Sequence, residues 1–101
     1  MKGALDGVRV LELGNFISGP YAAMLLADLG AEVVKVENPK GGDPFRAWDL
    51  GGDRPNFWAY NRGKKSVTLN LQTAEGREIF YQLCRKEIGR ASCRERVYVL
   101  V

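Results

Sequence analysis

The stretch that most constrains the fold is LELGNFISGPYAAMLLADLGAEVVKVENP, Leu11 to Pro39. Val8 to Leu13 (VRVLEL) is mostly apolar and bounded by glycine on both sides, as a buried strand is. Gly19 and Pro20 suit the first turn of a helix, where proline has no needed N–H to lose, and Ser18 is placed to cap it. Ala22, Leu25, Leu26 and Leu29 then recur at helical spacing, which predicts that this face packs on a sheet. Ala31 to Val36 (AEVVKV) reads as a second strand, ended by Asn38-Pro39. Two strands joined by a helical crossover lie parallel, so the segment predicts a right-handed βαβ unit.

Residues 40–64 read as a long loop: GGDPFRAW, GGDRPNFW and YNRGKK. Its Phe45, Trp48, Phe57 and Trp58 are expected to seal it onto the core, and a loop of this length is more often functional than idle. Ser66 to Leu71 (SVTLNL) alternates, with Val67, Leu69 and Leu71 on one side, which predicts a third strand whose other face meets solvent or a ligand. Thr73 is placed to cap a second helix whose buried stripe would be Gly76, Ile79, Phe80 and Leu83. The expected fold class is α/β, a partial Rossmann-like βαβ unit with a third strand and a helix.

Composition excludes more than it suggests. At 46% hydrophobic and 27% charged the chain has the make-up of a globular domain. No apolar run approaches a membrane span and MKGALDG has no secretory apolar region, so a cytoplasmic, non-membrane protein is expected. The net charge of +3 is not gathered into a nucleic-acid stripe, and no nucleic-acid partner is expected. There is no histidine, and the two cysteines form no CxxC pair. Ordinary zinc sites and histidine-based acid–base or nucleophile pairs are thereby excluded, and no metal is expected.

The strand–turn–helix opening invites a dinucleotide reading. Gly14 and Gly19 match the first and last glycines of G-x-G-x-x-G, and Glu37 falls where a ribose-binding acid would sit. The middle position is Phe16, whose side chain obstructs the approach of a pyrophosphate. An NAD(P)-type module is therefore the rival reading. Arg62, Lys64 and Lys65 beside the crevice are a solvated basic turn or, alternatively, phosphate contacts.

At the level of whole motifs, LDGVRVLELGNFISGPYAAMLLADLGAEVVKVENPKGGDPFR followed by NRGKKSVTLNLQTAEGRE resembles the N-terminus of the family III CoA-transferases. That family includes formyl-CoA and carnitine CoA-transferases and alpha-methylacyl-CoA racemase. The resemblance covers Leu5 to Lys86 and implies a Rossmann-like domain that binds coenzyme A, in an interlocked homodimer acting on acyl-CoA and carboxylic acid substrates. It also implies covalent catalysis by an aspartate far C-terminal of these residues, so no catalytic residue carries over and the chain alone is expected to be inactive. By position, Ile17 and Ser18 resemble the segment beside the thiol end of CoA. Asn38 falls where some members have an arginine near the nucleotide. Leu69, Asn70, Leu71 and Gln72 match the stretch lining adenine and ribose, with Gln72 where some members have a lysine.

Beyond Lys86 the helical periodicity breaks. Glu87 to Val97 (EIGRASCRERV) reads as the translation of a common sequencing-adapter oligonucleotide. The expectation is a CoA-binding N-terminal fragment over 1–86 and a non-native tail over 87–101. A truncated reading frame without cellular function is the third alternative.

Overall fold

The computed structural model describes residues 3–48 and 55–85, together with the backbone of 91–93 and 97–100. The elements run β1 (Arg9–Glu12), α1 (Ser18–Asp28), β2 (Glu32–Glu37), α2 (Phe45–Trp48), α3 (Pro55–Asn61), β3 (Lys64–Thr68), α4 (Ala74–Arg85), β4 (Ala91–Cys93) and β5 (Val97–Leu100). They form one mixed sheet in the order β3-β2-β1-β5-β4. The first three strands are parallel, with Glu12 beside Lys35 and Lys35 beside Ser66. The βαβ unit predicted from Leu11–Pro39 is present, and the fold is α/β.

One sheet face carries α1. Val10 and Val33 meet Ala23 and Ala31 there, each at most 7% exposed, with Leu26 and Ala27 packed alongside. The helix is rotated from the expected orientation. Gly19, Pro20, Ala23 and Met24 are its buried residues, whereas Leu25 and Leu29 are 43% and 50% exposed. Gly19 and Ala23 let this side of the helix approach the sheet closely, and Leu25 and Leu29 turn outward. Ser18 is the first helical residue rather than a cap: Ile17 holds the cap position, and no side chain bonds the helix end.

Four further expectations are corrected. Residues 40–64 contain α2 and α3, the latter beginning at Pro55, a proline at the first position where its missing N–H costs nothing. Phe45 and Phe57 do seal this segment to the core, at 4% and 2% exposed, but Trp48 and Trp58 stand out at 66% and 55%. β3 begins at Lys64 and ends at Thr68; the Leu69 N–H still donates to the Glu37 carbonyl at 3.0 Å, and the chain then leaves the sheet through Asn70 to Gln72. Thr73 does cap α4: its Oγ accepts the Gly76 N–H at 3.1 Å. Of that helix's expected stripe only Gly76 is buried, and Ile79 is exposed.

Candidate functional site

The sheet face under α1 changes character along the strands. Val10 and Val33 are apolar, but two residues further on each strand stand Glu12 and Lys35, 0% and 1% exposed. Their side chains share a face because strand periodicity is two, and parallel register sets them side by side. Lys35 Nζ donates to Glu12 Oε2 at 3.2 Å and to the Gly14 carbonyl at 3.0 Å. It also lies 2.9 Å from Asp43 Oδ2, an ion-pair contact without hydrogen-bond geometry. Lys64 Nζ spends its three N–H groups on Glu12 Oε1, the Pro20 carbonyl and Asn61 Oδ1, at 2.9, 2.9 and 2.8 Å. Two carboxylates and two ammoniums thus balance in the interior. Burial pulls the Lys64 amine down to about 8, against the opposing pull of Glu12.

A second cluster adjoins the first. Arg46 Nε and Nη2 each donate at 2.8 Å to the two oxygens of Glu37, the bidentate geometry that suits guanidinium and carboxylate. The Asp43 N–H donates to Glu37 Oε1 at 2.9 Å, and the Ser66 hydroxyl donates to Oε2. Burial pushes this carboxyl upward, but the donors from Arg46, Ser66 and Asp43 outweigh it and hold it at about 2.

These clusters anchor the turn between β1 and α1. Phe16 has φ 65°, the one non-glycine residue in the left-handed region among the described residues. Such a conformation costs on the order of 1–3 kcal/mol and persists only where surroundings enforce it. The Phe16 N–H donates to Asp43 Oδ1 at 3.0 Å, and the same oxygen accepts the Phe45 N–H at 2.9 Å. The Phe16 ring lies 5.9 Å from Phe45 and 6.2 Å from Trp48 between centroids. Gly14 has another purpose than the dinucleotide pattern suggests. A Cβ there would lie 3.0 Å from both Gly19 Cα and Pro20 Cδ, so the two glycines close the turn onto the helix start.

At the carboxyl ends of the parallel strands, where α/β sheets bind ligands, opens a cleft of about 250 Å³. Leu13 and Asn15 come from the first turn, Val36 to Asn38 from the end of β2, and Leu69 to Gln72 from the turn after β3. Five of the expected site residues, Asn38 and Leu69 to Gln72, therefore line a single cleft. Ile17 and Ser18 do not join them: both are exposed at the start of α1. The basic residues disperse. Arg62 pairs with Asp28 and Lys65 with Glu32 at the surface, while Lys64 is buried against Glu12. A smaller cavity of about 140 Å³ beside α3 and β3 is lined by Lys35, Arg46, Lys64 and Lys65, each already matched to a carboxylate.

A family model for CoA-transferase family III matches residues 5–86. The chain belongs to CoA-transferase family III. Among its CoA-transferase relatives, the succinyl-CoA:mesaconate CoA-transferase of Haloarcula marismortui is 50% identical over 91 residues, covering 83% of this chain and 23% of that protein. The succinyl-CoA–D-citramalate CoA-transferase of Chloroflexus aurantiacus is 50% identical over 82 residues, covering 78% of this chain and 20% of its own. Crystal structures agree. A CAIB/BAIF family protein from Brucella suis superposes with a TM-score of 0.76 at 38% identity, over 86% of this chain and 25% of that one. The hypothetical protein Rv3272 of Mycobacterium tuberculosis gives 0.76 at 40% identity, over 86% and 24%. The chain thus spans a quarter or less of the length of each of these proteins.

Sequence reasoning missed the buried ions. VLEL and VVKV each hold one charge inside an apolar run, of opposite sign and at matching strand positions, and that pairing was the available signal.

Proposed function

We propose that this chain is the coenzyme A-binding, N-terminal portion of an acyl-CoA:carboxylate CoA-transferase. The observation that carries the reading is the convergence of Asn38, Leu69, Asn70, Leu71 and Gln72 on one cleft at the carboxyl ends of the strands. Ligand pockets usually measure about 300–1,000 Å³, so a cleft of about 250 Å³ suits one end of CoA, its adenine and ribose, and leaves the pantetheine arm to extend toward Ile17 and Ser18. The succinyl-CoA enzymes among its relatives support a succinyl or similar dicarboxylic acyl donor for the whole enzyme. No catalytic residue is assigned to this chain; the reading puts that carboxylate, and the second subunit of a homodimer, in the remainder of the enzyme. Residues 87–101 are read as foreign sequence, which the end of the family match at residue 86 supports.

The NAD reading loses its acid. Glu37 is 4% exposed and both of its oxygens are engaged by Arg46, Ser66 and Asp43, which leaves no free carboxylate for a ribose. Titration of the chain with CoA and, separately, with NAD, followed by amide shifts, decides between them. CoA is expected to move Asn38 and Leu69 to Gln72 and NAD to leave them unmoved; the reverse order of affinity sinks the CoA reading.

A further inference from the structure

We propose that Asp43 is a positioning residue that locks the β1–α1 turn, and with it one wall of the cleft, by holding Phe16 in its left-handed conformation. The proposal rests on the CoA reading of that cleft and adds to it a residue outside the cleft's lining.

Asp43 sits where three segments meet. Its Oδ1 accepts the Phe16 N–H at 3.0 Å across 27 residues of sequence and the Phe45 N–H at 2.9 Å. Its own N–H is fixed to Glu37 at 2.9 Å, and its Oδ2 faces the Lys35 ammonium at 2.9 Å. At 1% exposed, the carboxylate has no water to compete for these partners. Lys35 in turn donates to the Gly14 carbonyl at 3.0 Å, so both ends of the strained turn hang from one ion pair. Leu13 and Asn15, which flank Gly14 and precede Phe16, are cleft walls. A neutral phenylalanine has no intrinsic reason to adopt φ 65°. The Asp43 hydrogen bond supplies one, and charge makes that bond stronger than a neutral acceptor would.

Asp43→Asn and Phe16→Gly, alone and combined, test this in the full chain by NMR and CoA titration. Positive φ gives a strong intraresidue amide–Hα NOE, and the Phe16 amide also reports its own hydrogen-exchange protection. In Asp43→Asn the Phe16 NOE weakens, its protection falls at least about tenfold, as loss of a charged hydrogen bond implies, and CoA affinity falls by a similar factor. The Val33 amide in β2 keeps its protection. Phe16→Gly alone keeps the left-handed region open, since glycine enters it freely, but gives up the ring contacts to Phe45 and Trp48, so its own affinity is measured as a reference. Added to Asp43→Asn, it recovers part of the lost affinity, which a general loss of stability would not allow. An unchanged Phe16 NOE in Asp43→Asn overturns the lock. So does a uniform fall in protection that includes Val33, or a double variant no better than Asp43→Asn. If the Phe16 signals respond while CoA binds the unaltered chain nowhere near Asn38 and Leu69 to Gln72, the lock stands and the cleft reading fails instead.

Discussion

Lys35 sits 1% exposed between two carboxylates, and its worth depends on what is left when it goes. Lys35→Met would leave Glu12 and Asp43 buried with one ammonium between them. Breaking such a pair costs about 3–5 kcal/mol, and urea denaturation should show it. Lys65→Met removes an ion pair to Glu32 whose lysine is 73% exposed, and the same measurement should register under about 1 kcal/mol. Glu37 gives the molecule an acid limb. Its carboxyl, held at about 2 rather than 4.5, contributes stability that is complete above about pH 4.5 and is lost as pH falls toward 2. Denaturation midpoints between pH 2 and 6 should fall less steeply in Glu37→Gln than in the unaltered chain. None of this could be read residue by residue, because a lone charge in an apolar run looks the same whether it ends in solvent or against a partner on the next strand.

Among the elements, α4 depends on one close approach. A Cβ at Gly76 would lie 1.9 Å from the Asn70 carbonyl oxygen, which also accepts the Thr73 hydroxyl and N–H. Gly76→Ala should therefore push Asn70 to Gln72 out of the cleft. Overpacking of this kind costs about 1–3 kcal/mol, and the variant should show both a lower denaturation midpoint and weaker CoA-induced shifts at those residues. The long-period elements were legible in sequence and the short ones were not. β1, α1 and β2 announce themselves by periodicity over Leu11–Pro39, whereas α2 and α3 are too short to display a period. The face of α1 was misread for a definable reason: leucine spacing marks an apolar stripe, but the glycine–alanine side gives the closer approach to the sheet. Asn38 and Leu69 to Gln72, placed by the family resemblance, line one cleft, whereas Ile17 and Ser18, from the turn after β1, are exposed and outside its lining.

At the scale of the whole molecule, the four ions of the Lys35–Lys64 cluster come from four separate places: β1, β2, the segment before α2, and the first residue of β3. Each pair of opposite charges is also a tie between distant parts of the chain, Lys64 to Glu12 across 52 residues. Any partly assembled state that dries three of these groups strands an uncompensated charge, at several kcal/mol. Half-built forms are thus penalised, and the route from unfolded chain to native sheet has no comfortable resting point. The interior charges therefore bear on assembly as well as on the finished sheet: they penalise any intermediate that dries Glu12 before Lys64 arrives.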